Sequence, residues 1–118
     1  MAQSPVVPGF IKFSQIIIQD YDVTLGSTGF ISTEISNFSI LAVQFSWNLS
    51  SIGTCTLKIQ QSINGTDYDD IINSEFTIAS NTGSITVERN TFTGKFCRID
   101  VDVTGSIGTI SAELLAKR

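Results

Sequence analysis

Carboxylates gather at two places in this chain: Asp67, Asp69 and Asp70 follow Asn64-Gly65, and Asp100 and Asp102 alternate with Arg98. Clustered carboxylates beside an amide carbonyl are the oxygen donors that calcium takes. The spacing is not that of an EF-hand loop, and on a strand Asp67 and Asp69 share one face while Asp70 takes the other. A solvated hairpin edge, where charge discourages sheet-to-sheet pairing, accounts for the cluster. Two carboxylates can also serve as acid and base in glycoside cleavage, but Asp100 and Asp102 read as the polar face of a half-buried strand. The chain has no histidine. That removes the commonest general base, the commonest zinc ligand and the Ser-His and Cys-His nucleophile pairs. We therefore expect no enzyme, no catalytic residue, no metal site and no cofactor.

Sugar binding needs an aromatic platform with polar neighbours for the hydroxyls. Eight of the eleven aromatic residues are Phe, and Trp47 falls in register with Leu41, Val43 and Phe45, a core position. Tyr21 and Tyr68 are the plausible surface platforms, and Tyr68, with Asp67 and Asn64 beside it, is the candidate carbohydrate site. Cys55 and Cys97 both alternate with apolar neighbours. They are read either as two reduced, buried small hydrophobes or as a disulfide across the core.

The elements that must position these residues are strands. A chain of 118 residues makes one domain. Its 17 Ile, 8 Phe and 28 Ser plus Thr against two Pro are the composition of pleated, half-buried strands. Leu41-Val43-Phe45-Trp47-Leu49 alternates most cleanly. Phe10 to Leu25 has apolar residues on both faces, which predicts a strand that bends or changes sheet. Thr54 to Ser62 is followed by Asn64-Gly65, the signal for a type I′ hairpin turn. About eight strands with turn signals every 8–12 residues predict an antiparallel two-sheet β-sandwich over residues 10–118, jelly-roll or immunoglobulin-like, with jelly-roll-like the reading taken; strand order is not readable from the residues. Residues 1–9, with Pro5 and Pro8, read as an extended arm.

The formal charge is −4 with the seven Lys and Arg scattered along the sequence, so no nucleic-acid partner is expected. No stretch reaches the ~18 apolar residues of a membrane span. The N-terminus lacks the basic and apolar regions of a secretory signal, so a cytoplasmic origin is expected. The sequons at Asn37, Asn48 and Asn64 then carry little meaning.

Gln60-Gln61-Ser62-Ile63-Asn64-Gly65-Thr66-Asp67-Tyr68-Asp69-Asp70-Ile71 resembles a hairpin of small virion proteins of tailed bacteriophages, with Tyr68 where their Trp usually stands. An alternating strand that closes on an aromatic precedes it (Val43 to Trp47). An Arg98-Ile99-Asp100-Val101 strand follows, and the chain closes on Gly108 to Lys117 much as that family does. The resemblance covers roughly residues 30–118. It implies a capsid decoration, head-fibre, tail or collar protein, assembled in the host cytoplasm and carried on the virion. The implied partners are the major capsid protein or other virion proteins, and the chain itself as a homo-oligomer, a trimer being one option. Gln3, Ser4, Pro5, Val6, Val7 and Pro8 are the candidate attachment residues. The hairpin also resembles the sialidase Asp-box, but its glycine comes one residue early and Asn replaces Asp.

Overall fold

A computed structural model describes residues 12–36, 38–89 and 92–118. Alternation becomes pleated sheet throughout: β1 (Lys12–Asp22), β2 (Thr28–Ile31), β3 (Ile40–Ser51), β4 (Thr54–Ser62), β5 (Asp69–Asp70), β6 (Phe76–Thr77), β7 (Thr82–Arg89), β8 (Phe96–Thr104) and β9 (Ile107–Lys117), with one 3-10 turn at Val23–Leu25. Every pairing is antiparallel. One sheet runs β1-β9-β3-β7; the other runs β2-β8-β4-β5, with β6 also on β4. If β5 and β6 are counted as a single interrupted strand, this interleaved order is a jelly roll. The interruption explains why nine strands appear where about eight were expected. Between β5 and β6 the buried Ser74 hydroxyl bonds both the N–H and the C=O of Ile59 (3.1 and 3.0 Å), standing in for a backbone rung.

The two inner faces form one core. Leu41, Val43, Phe45, Trp47 and Leu49 of β3, with Ile110, Ala112 and Leu114 of β9, meet Cys55, Leu57 and Ile59 of β4 and Ile99, Val101 and Val103 of β8. Trp47 is 8 % exposed, and its indole N–H donates to the Ser80 carbonyl at 2.9 Å, so the buried polar atom is satisfied. Both cysteines are free and buried. Register places Cys55 opposite Val103 and Cys97 opposite Gln61. The two thiols are therefore six residues apart along neighbouring strands, about 20 Å, far beyond disulfide reach. Of the two readings of the cysteines, the reduced pair stands. Burial pushes the Cys97 thiol up to about 12.

Two local readings are corrected. Strict alternation along Phe10 to Leu25 sets Ile11, Phe13, Gln15 and Ile17 on one side and Lys12, Ser14, Ile16 and Ile18 on the other, but the register shifts between Ile16 and Ile18 and again between Ile18 and Tyr21, as the expected bend requires. Each shift inserts one extra residue, which flips every later side chain. Ile18 therefore enters the core at 1 % exposure while Ile16 stays outside at 58 %. The Asn64-Gly65 turn is not type I′ either. Gly65 has φ 79°, but Asn64 is not among the positive-φ residues, and a I′ turn needs both. Pairing stops at Gln61 and Asp69, leaving a wider loop.

Candidate interaction surfaces

That loop is organised by its own side chains. The Asn64 side-chain oxygen accepts from the N–H groups of Thr66 and Asp67 (both 2.8 Å) and from the Ser62 hydroxyl (3.1 Å), while its amide donates to the Asp67 carboxylate at 2.8 Å. The Ser62 oxygen accepts from Gly65 N–H at 2.8 Å. The Ser-x-Asn-Gly-x-Asp pattern is thus a folding device. Asn64 and Asp67 line a hollow of about 310 Å³ with Gln61, Asp69 and Thr93. Tyr68 does not join them, because its ring is covered by the Arg98 guanidinium, 4.5 Å from the ring centre. The structure therefore brings together two of the three sequence-predicted carbohydrate residues. Among the described residues no three His, Cys, Asp or Glu side chains converge as a metal site would require.

Arg98 belongs instead to a ladder across the outer face of the β2-β8-β4-β5 sheet, which sequence reasoning did not find. Its Nε donates to the Gln60 side-chain oxygen Oε1 at 2.7 Å, and the Gln60 side-chain Nε2 donates to the Asp70 carboxylate at 2.7 Å. Lys58 lies 3.6 Å from Asp70 and 3.7 Å from Glu75. Register builds this row, since Gln60 stands opposite both Arg98 and Asp70. Gly29 leaves room for it: a Cβ there would sit 2.9 Å from Arg98 Cδ. The Gln60 hydrogen bond, helped by the Lys58 charge, holds the Asp70 carboxyl below the usual carboxylate range. These side chains satisfy one another.

The outer face of the β1-β9-β3-β7 sheet is different. Its outward rows are Ser14-Leu115-Ala42-Glu88, Ile16-Glu113-Gln44-Thr86 and, further along, Ser111-Ser46-Ser84 and Asp22-Thr109-Asn48-Thr82. They are short, mostly neutral and flat. The bulges in β1 dent this face into a shallow hollow of about 340 Å³ lined by Ile16, Asp20, Gln44, Ser46, Ser111 and Glu113. Asp20, at φ 51°, is pinned there by its N–H bond to the Ser111 hydroxyl at 2.9 Å.

The antiparallel register also sorts charge between the two ends of the sandwich. Scattered in sequence, Lys12, Arg89, Lys95, Lys117 and Arg118 come to one end, against Glu34, Asp67, Asp69 and Glu88. Asp20, Asp22 and Asp102 mark the other end, with no Lys or Arg there among the described residues. Lys12 and Lys117 are cross-strand partners on the outer face, followed by Arg118, so one corner is basic. The arm residues Gln3, Ser4, Pro5, Val6, Val7 and Pro8 lie outside the described residues. Among the described residues no helix is long and apolar enough to cross a membrane.

No protein-family model matches the chain, and no curated protein matches it in sequence. Solved structures do match in fold. The SPBc2 prophage-derived protein YomS superposes with a TM-score of 0.65 over 98 % of this chain and 100 % of its own, at 10 % identity. A subunit of the Bacillus endospore appendages, described as disulfide-linked pili, superposes with a TM-score of 0.53 over 99 % of this chain and 97 % of its own, at 15 % identity. At these identities the likeness is one of fold: the chain has the single-sandwich fold, end to end, of a prophage-derived protein.

Proposed function

We propose that this chain is a non-enzymatic structural protein of a bacteriophage virion, attached to the capsid or another virion surface by protein–protein contact. The observation that carries the reading is the end-to-end match to a prophage-derived sandwich of the same extent, which agrees with the hairpin and strand motifs of small phage virion proteins. Attachment uses residues 1–9 and the basic corner of Lys12, Lys117 and Arg118. Several copies on a symmetric lattice make modest single contacts strong through avidity.

The test is co-sedimentation of the full-length chain with empty capsids of its phage. Binding is expected, weakened by salt and by Lys12→Glu with Lys117→Glu, and lost on deletion of residues 2–9. Absence of binding, or binding that survives the deletion, sinks this reading. A second reading, glycan adhesion, is favoured by the hollow on the β1-β9-β3-β7 face, whose hydroxyls, amide and carboxylates suit a polyhydroxylated ligand. A glycan array is its test. Silence there, or signal unchanged by Gln44→Ala, counts against it.

A further inference from the structure

Three of the four sheet edges are blunted. β1 carries two register shifts, a positive-φ residue and a terminal lysine. β2 has four residues, and β5 and β6 have two each. Short edges, bulges and lysine are the ordinary protections against strand-to-strand pairing between molecules. The fourth edge is neither short nor bulged, and its only charged residues, Glu88 and Arg89, sit together at one end. β7 runs eight residues without proline and pairs with β3 through all eight without a register shift.

The hydrogen-bond phase along this edge follows from its ends. Leu49 N–H donates to the Asn81 carbonyl at 2.6 Å, on the same register as the rest of the ladder. Antiparallel ladders alternate, so Gly83, Ile85, Val87 and Arg89 bond β3 while Thr82, Ser84, Thr86 and Glu88 turn their N–H and C=O outward. Two side-chain bonds agree with this phase. The Ser80 hydroxyl donates to the Thr82 carbonyl at 3.1 Å, and the Arg89 guanidinium donates to the Glu88 carbonyl at 2.6 Å. Among the described residues, the outward backbone groups of Ser84 and Thr86 have no partner.

We propose that β7 pairs antiparallel with β7 of a second copy across a two-fold axis at Ile85. That register sets Ser84 against the partner's Thr86 and Thr82 against the partner's Glu88. The four free groups of Ser84 and Thr86 then meet their counterparts in both directions. No like charges oppose, because Glu88 faces Thr82 and Arg89 faces Asn81. Half-buried Ile85 meets its own copy on the inner face. The two β1-β9-β3-β7 sheets become one eight-stranded sheet with a continuous polar outer face, and the contact is isologous and closed. The inference stands apart from the virion reading.

The test is sedimentation of the full-length chain over a concentration series, with variants. A dimer is expected. Thr86→Pro removes one outward N–H on each copy while leaving the β3 bonds intact, as proline on an edge strand does. It should weaken the dimer by roughly tenfold or more. Ser84→Lys with Thr86→Lys, which sets ammonium groups opposite each other, should do the same with an unchanged circular-dichroism spectrum. Ile85→Cys should cross-link on mild oxidation and Thr82→Cys should not, because only position 85 lies on the two-fold. A monomer at every concentration overturns the proposal, as does an oligomer indifferent to these variants. Dependence on residues 1–11 with indifference to Thr86→Pro also overturns it and makes the arm the partner.

Discussion

On the outer face of the β2-β8-β4-β5 sheet, Arg98, Gln60, Asp70 and Lys58 hold one another. On the outer face of the β1-β9-β3-β7 sheet, Gln44, Ser46, Asn48 and Glu113 make no side-chain bonds to other described residues. Both faces are polar and both derive from the same alternation. They differ in what their polar groups have left to offer. A network closed on itself braces a sheet and presents little to a partner. Short unsatisfied side chains contribute little to stability and keep their hydrogen-bonding capacity for whatever docks there.

Inside, the comparison should vanish. Leu57→Ala in one sheet and Leu114→Ala in the other, both fully buried, should each cost about 2–5 kcal/mol in urea unfolding; a large asymmetry would mean that the two sheets do not share one cooperative core. Outside, the contrast should be plain. Gln60→Ala removes the link between Arg98 and Asp70 and should cost about 1–3 kcal/mol, whereas Gln44→Ala or Ser46→Ala should stay within about 0.5 kcal/mol. If all three cost the same, the distinction between a braced and an open face fails. Acid sharpens the point. The folded Asp70 carboxyl lies below its ordinary value, so its stabilisation is complete above the unfolded pKa, about 3.9, and is lost as pH falls through the folded value. The stability gap between wild type and Gln60→Ala should therefore narrow below about pH 4, and the Ser46→Ala gap should not move.

Much of this was legible in the residues. The inward set of β3, the burial of Trp47 and the inward cysteines follow from a period of two, as does the sandwich itself. What was not legible depended on register. The extra residues in β1 leave no mark on composition, so Ile17 and Ile18 could not be assigned to faces by counting. The Asn64-Gly65 turn was misread because Ser62 and Asn64 satisfy the loop backbone themselves, which opens the turn that glycine alone would have closed. The Arg98-Gln60-Asp70 row joins three strand segments, and nothing local announces it. Alternation marks which residues face out; only strand order says which outward residues are neighbours.

The sorting of charge between the two ends has a consequence for how this molecule meets others. Its longest dimension is 52 Å, several times the screening length of about 8 Å at physiological ionic strength. An approaching surface therefore never senses the formal −4 of the whole chain. It senses one end at a time. To anything arriving at Lys12 and Lys117 this anionic protein behaves as a cation, and at Asp20, Asp22 and Asp102 as an anion. Near a charged wall it turns before it touches, and the rotation does part of the work of recognition within the last nanometre of approach.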